Sequence, residues 1–473
     1  MWSICMIHLL NYFRSCPPKK RYFQSIYILW LFIIFFIINL EAVAATPVLR
    51  VGIFLNCKEV TIKGDKGLKI FALQSGDNLW IQKDSCALKI IAEAQGLKIN
   101  NQSFKTSQGI KIIPREDGFL QVEGTKYRGD LEIRVQKSLL KVINIIGLEQ
   151  YLFGVLKKEI SPDWPGEALR AQAIAARTFA LANMNKYIDQ GYNICATANS
   201  QEYGGVSYEH PATNKAVNDT KGIIATYKGE PINAVYHSDC GGSTENSEDV
   251  WGGYVPYLRS VSSEYEELVS PPNHKWSCSL SEQEILTKLA QNGHQLNSIQ
   301  EINIGEQTIT GRVKSINILG DNGKKITLKT NDFRLLIGPN LVRSSLFNME
   351  SQGGGRLEPE PQKNELPISK PTQENPQEDV TEILKEDRSF TISELIALLN
   401  RPKKTPEIKE KNNPKVFENN NVPSNLTIIF NGKGSGHGVG LSQWGAYGMA
   451  KLGFSYEEIL KYYYQGIELT KIY

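Results

Sequence analysis

An α+β chain, with mixed antiparallel sheets around a central helical pair, is what three features of the sequence predict. Short β-rich runs broken by Gly, Asn and Asp fill the region from Pro47 to about Lys141. A helix-period stretch follows from Leu148 to about Tyr187. A long Pro-, Glu-, Lys- and Asn-rich segment, about 351–424, then interrupts an otherwise foldable chain. The prediction is a multi-lobed molecule carrying a long disordered insertion.

In order along the chain, residues 1–45 read as a targeting segment. Lys19, Lys20 and Arg21 precede an apolar run from about Ser25 to Leu40, and Ala42, Ala44 and Ala45 suit a signal-peptidase site. The alternative is an uncleaved anchor, because the run approaches membrane-spanning length. Both readings export the remainder to the periplasm or cell envelope, with membrane contact only through this segment if it stays uncleaved. The segment also carries the whole net charge of +3, so the mature chain is near neutral and nothing points to nucleic acid.

The region 46–141, with "VLRVGIFL", "LEIRVQ" and "LLKVINII", is expected to be a β-rich lobe. The expected core, 142–350, begins with the helical pair. Leu148, Tyr151, Leu152, Val155 and Leu156 form one buried stripe, with Glu149, Lys157 and Lys158 on a solvated face. One turn further along that stripe stands Glu159, an acid where an apolar residue is expected. The elbow "SPDWP" should hold Trp164 near it, and burial against an indole would raise the carboxyl pKa. A carboxyl that keeps its proton near neutrality can protonate a glycosidic oxygen. The second helix is rich in Ala for close packing; its polar exceptions are Gln172 and Arg177, and Arg177 reads equally as half of an ion pair or as a ligand for substrate.

Beyond the pair come strand-like "GIIATYKGEPINAVYH", a helix at about Ser281–Gln291, a hairpin turning at "DNG", and a short helix in "NDFRLLIG". Inside the insertion, "TISELIALL" has the pattern of a short amphipathic helix. The final part, 425–473, returns to foldable composition and ends in the helical "EEILKYYY". Its "GSGHGVGLSQWGA" is not a nucleotide loop, since no Lys-Ser/Thr follows the glycines; glycine there permits close backbone approach. His437, Ser442 and Gln443 in this turn, with Gln201, Tyr203, His237 and Ser238, are candidate sugar-binding residues. Of seven cysteines, Cys5 and Cys16 leave with the leader. Among the other five, Cys240 and Cys278 each have a nearby His, His237 and His274, compatible with a disulfide, favoured in an exported chain, or with zinc.

Five ordered blocks carry a family resemblance: "KYRGDLEIRVQKSLLKVINIIGLEQYLFGVLKKEISPDWPGEALRAQAIAARTFAL", "QEYGG", "AVYHSDCGGSTENSEDVWGG", "GRVKSINILG" and "GKGSGHGVGLSQWGAYGMAKLGFSYEEIL". Together they resemble the stage II sporulation protein D and amidase-enhancer (SpoIID/LytB) family. The resemblance implies a peptidoglycan lytic transglycosylase acting on peptide-stripped glycan, with Glu159 as acid and then base and no cofactor. It also implies the alternative of a non-catalytic glycan binder that enhances a partner amidase of the cell wall. One catalytic carboxyl suffices for the transglycosylase; a hydrolase would need a second, for which Glu245 and Asp249 are the candidates, although both read better as loop braces. Some members are expected to hold zinc ahead of the "Q-x-Y" block. This chain keeps Cys195 there but has Asn199 and Ser200 at the other places, which argues against the metal.

Overall fold

The computed structural model describes residues 45–352 and 426–473, apart from Ser107 and Asn273. The expected leader, the insertion and its "TISELIALL" helix lie outside these residues, apart from the few at their edges. Mixed α+β architecture is observed, as the alternating and helical patterns predict. Two sheets, of seven and six strands, take twelve antiparallel strands from Val48 to Gly147 and one more from later in the chain. At the centre of the larger sheet, Leu139–Gly147 pairs on one side with Val48–Cys57 and on the other with Asp130–Gln136. Ile194–Cys195 adds a parallel edge to the first of these.

Helix α1 (Leu148–Glu159) follows directly from that central strand, and α2 (Gly166–Ala182) follows the Pro elbow. The stripe Leu148, Tyr151, Leu152, Val155 and Leu156 is buried as its spacing predicts, in the same apolar cluster as strand residues such as Leu49, Val51 and Ile146. Gly154 on this helix is obligatory, because a Cβ there would stand 2.6 Å from the Tyr203 ring. Ala173, Ala176 and Ala180 of α2 join this first cluster. Ala171, Ile174 and Ala175, on another face of α2, join a second cluster with the C-terminal helices α7 (Gln443–Lys451) and α8 (Tyr456–Tyr463). The Ala-rich helix is therefore the shared wall of two cores.

Between these parts come α3 (Pro211–Asp219), the short α4 (Ser247–Trp251), α5 (Glu282–Gln291) and α6 (Thr330–Ile337). Ser281 caps α5 in a capping box with Glu284. The "DNG" turn joins strands Ser315–Gly320 and Lys325–Lys329 as expected. A third apolar cluster lies here, around Phe333, Ile428 and Phe430. Strand Thr427–Lys433 is the middle of a three-stranded sheet, between Lys275–Ser281 and Leu346–Gln352.

Candidate functional site

Glu159 is the last residue of α1, where the backbone turns extended at Ile160. The carbonyl end of a helix disfavours negative charge, so the location itself favours the protonated acid. Its Oε1 accepts a hydrogen bond from the Glu202 backbone N–H at 3.1 Å, and the Tyr236 hydroxyl also bonds the carboxyl. Both bonds favour the anion, but burial outweighs them and pushes the pKa up to about 7. The nearby Glu202 carboxylate adds to the rise, while Lys158, which pairs with Glu202 at 3.0 Å, opposes it.

Behind the acid lies a chain of buried polar groups. Gln201 spans it: its Oε1 accepts from the Tyr151 hydroxyl at 3.2 Å, and its Nε2 donates to the Ala176 carbonyl at 3.2 Å and to the Tyr236 oxygen at 3.1 Å. Since the Tyr236 oxygen accepts a hydrogen bond from Gln201, its own O–H is free to point at Glu159. Gln201 is therefore a positioning residue, not a surface ligand. Tyr236 was not among the residues singled out by sequence; its neighbour His237 was.

The same Tyr236 connects the acid to the glycine-rich turn. Strand Tyr236–His237 runs parallel to Leu441–Ser442. Here His437 accepts from the Val439 N–H through Nδ1 at 3.1 Å, which leaves Nε2–H to bond the Tyr236 carbonyl. Burial, then the charges of Arg334 and Arg312, push the His437 pKa down to about 4, so it is neutral above that pH. Its ring lies 5.4 Å from His237 and 5.1 Å from the exposed Trp251. The glycines on either side serve close approach within the protein: a Cβ at Gly436 would stand 2.6 Å from His237, and one at Gly438 2.6 Å from the Arg312 guanidinium.

Several sequence expectations require correction. Arg177 is 0% exposed and bidentate to Glu149 at 2.7 and 2.8 Å, with further bonds to Thr220 and the Ile223 and Val217 carbonyls. It is a brace between α1 and α2, and Glu149 is its buried partner rather than part of a solvated face. Tyr203 is buried in the first core, its hydroxyl donating to Asn144 at 2.9 Å. Ser442 caps α7 and donates to the buried Glu266, so it faces inward. His237 is buried and bonded to the Val439 carbonyl. Gln443 opens α7 and is also buried. Ser238 is half-buried, and its carbonyl accepts from the Trp444 N–H at 3.0 Å. Trp164 packs on Trp444 and Tyr447, with ring centroids 4.9 and 5.1 Å away, and shares a small cluster with Ile160, the residue after Glu159. Glu245 and Asp249 are loop braces as read, held by Thr308 at 2.7 Å and Lys314 at 3.2 Å respectively.

Cys57, Cys86, Cys195, Cys240 and Cys278 are free thiols, against the favoured disulfide reading. Cys240 is buried near Glu266, whereas Cys278 packs against the third core, so the two expected partners serve different interiors. The spaced His–Cys pattern does not assemble either, since His274 binds Asp239 at 3.0 Å. Among the described residues, Asp239, Glu266 and His274 form a group whose ligand atoms lie within 4.8 Å of one another. Their lone pairs are already engaged: Glu266 accepts from the N–H groups of Cys240, Gly241 and Gly242. This cluster fits an internal clasp better than a metal site.

Residues 136–227, which include α1, α2 and Gln201, match the SpoIID family, described as stage II sporulation protein. An uncharacterized protein of Brachyspira hyodysenteriae is 30% identical over 382 residues, covering 80% of this chain and 81% of that protein. The chain belongs to the SpoIID/LytB family. The amidase enhancer of Bacillus subtilis (strain 168) is 31% identical over 330 residues, 67% of this chain but only 40% of that longer protein. Stage II sporulation protein D of Bacillus amyloliquefaciens is 27% identical over 367 residues, 74% of this chain and 81% of that one. The family match covers Glu159 and stops before Tyr236, which this fold brings to the acid from later in the chain, and before His437, which bonds the Tyr236 carbonyl.

Proposed function

We propose that this chain is an exported lytic transglycosylase that cuts peptidoglycan glycan strands between N-acetylmuramic acid and N-acetylglucosamine. The observation that carries the reading is Glu159, a carboxyl held by one N–H and one hydroxyl with its pKa lifted to about 7, so that both protonation states are accessible near neutrality. In the first step Glu159 gives its proton to the glycosidic oxygen and the bond to the anomeric carbon breaks. In the second, the resulting carboxylate takes the proton of the muramoyl 6-hydroxyl as that oxygen closes on the anomeric carbon. The product is a 1,6-anhydro end, and Glu159 is restored to its acid form.

A second carboxylate, which an inverting or retaining hydrolase would require, has no ready source among the described residues. Glu245 and Asp249 are occupied by Thr308 and Lys314, and Glu202 is paired with Lys158. Tyr236 would orient the acid and stabilise its anion between the two steps. A second reading, a glycan-binding enhancer of a cell-wall amidase, is supported by the relative named amidase enhancer.

Digestion of peptide-free glycan strands, with mass spectrometry of the new ends, tests the proposal. Anhydro ends that disappear in Glu159→Gln are expected. Reducing ends would replace it with a hydrolase, and glycan binding without cleavage would favour the enhancer.

A further inference from the structure

Three aromatic side chains are exposed among the described residues: Tyr208, Trp251 and Tyr254. Lys158 lies 4.7 Å over the Tyr208 ring and covers one face of it. Trp251, 41% exposed, and Tyr254, 68% exposed, stand three positions apart where the chain leaves α4 through Gly252 and Gly253. Gly252 ends that helix in a left-handed conformation, φ 89°, which a residue with a side chain rarely adopts.

The segment that carries the two rings is tightly fixed. The hydroxyl of the buried Ser247 donates to the Gly253 carbonyl at 2.8 Å and accepts from the Val255 N–H at 2.8 Å. Arg259 binds both oxygens of the Glu248 carboxylate and donates to the Ser247 hydroxyl and the Val255 carbonyl. Its guanidinium also lies 4.4 Å from the centre of the Tyr254 ring, which fixes that ring from one side. Ordering a chain costs conformational freedom, and burial of apolar surface is the usual compensation. Here the ordering holds two aromatic rings in water instead.

The chemistry of these rings suits sugar better than protein. Their aliphatic neighbours Val250 and Val255 pack against the second core, so the apolar surface offered here is aromatic. A flat ring with a polar tip matches a pyranose, which has an apolar C–H face and a rim of hydroxyl and acetamide groups. Neither the Trp251 N–H nor the Tyr254 hydroxyl has a hydrogen-bond partner among the described residues, so both are available to that rim. The rings also connect to the acid. Trp251 lies 5.1 Å from the His437 ring, His437 bonds the Tyr236 carbonyl, and the hydroxyl of the same tyrosine bonds Glu159. With an imidazole and a whole tyrosine in between, a sugar stacked on Trp251 is not the one whose bond meets Glu159. We propose that Trp251 and Tyr254 form an aromatic subsite for pyranose rings of a glycan strand, away from the bond that Glu159 serves. This rests on the reading of glycan as substrate, and it lets the chain hold a strand by sugars that do not react.

The test is calorimetric binding of long peptide-free glycan strands to the full chain carrying Glu159→Gln, so that the strands stay intact. Adding Trp251→Ala should weaken binding ~10-fold at an unchanged melting temperature, and adding Tyr254→Ala should weaken it ~3-fold. Trp251→Phe keeps a flat ring and should keep most of the affinity. Tyr254 makes no ring contact with His437, so its variant serves if Trp251→Ala disturbs the fold. Affinity that survives both alanine substitutions overturns the proposal. So does a loss as large in Trp251→Phe as in Trp251→Ala with none in Tyr254→Ala, which would mean disturbed packing on His437. Unchanged glycan affinity with lost stimulation of a cell-wall amidase would give the rings to a protein partner instead. Binding that depends on Trp251 in a chain that cleaves nothing would sink the transglycosylase reading and leave this one standing. Cleavage that needs Glu159 but is indifferent to both rings would do the reverse.

Discussion

If burial holds Glu159 partly protonated, the acid must cost the protein stability once it ionises, and Glu159→Gln measures that cost. The folded-state pKa is raised from 4.5 to about 7, so the favourable contribution is present in full below about 4.5 and is lost as pH rises through about 7. At 1.36 kcal/mol per tenfold, this shift costs the ionised form about 3 kcal/mol, and partial exposure of the side chain reduces it to ~2 kcal/mol. Gln is nearly isosteric, still accepts from the Glu202 N–H, and never ionises. The variant should therefore match wild type at pH 4 and be more stable at pH 8.5 by ~2 kcal/mol, or roughly 4 °C in Tm. Thermal melts of both proteins from pH 4 to 9 supply the difference. A Tm gap that does not change with pH would refute the argument, whatever happened to activity. The same titration should make the acid step fail as pH rises through about 7, so a rate that holds constant to pH 9 would remove Glu159 as the proton donor.

The other expectations test its surroundings. Tyr236→Phe deletes a donor to the Glu159 anion, so the alkaline limb of the pH–rate profile should move upward by about one pH unit, the order expected for a hydrogen bond to a charged group; an unmoved limb would mean the hydroxyl does not serve the acid. Glu149→Gln leaves the Arg177 guanidinium buried without its carboxylate, and should cost roughly 3–5 kcal/mol in urea denaturation while leaving glycan affinity of the folded fraction unchanged. Gln352 and Thr427 are paired neighbours on adjacent antiparallel strands, so replacing residues 353–425 by a four-residue turn joins ends that already meet. Shortening the closed loop from ~70 residues to ~4 should add about 2–3 kcal/mol of stability, read as a higher Tm, and a shortened chain that fails to fold would show the segment to be structural.

How much of this was legible depended on the range of the interaction. The stripe of α1, the capping box at Ser281, the "DNG" turn and the closing helix α8 are fixed by residues a few positions apart, and each was readable from period or turn chemistry. Glu159 was also readable, since an acid on an apolar stripe is a local anomaly. Its partners were not. Glu202 stands 43 positions away, and Gln201 reaches Tyr236 across 35. Nothing in either local pattern indicates that the hydroxyl of Tyr236, rather than the imidazole of His237, meets the acid.

Glu149 was misread, and Arg177 left open between two roles, for the same reason in reverse. Single-helix reasoning assigns a charge beside an apolar stripe to water, because burying it alone is costly. That cost disappears only when a second helix brings a fixed guanidinium to it, and the two residues are 28 positions apart.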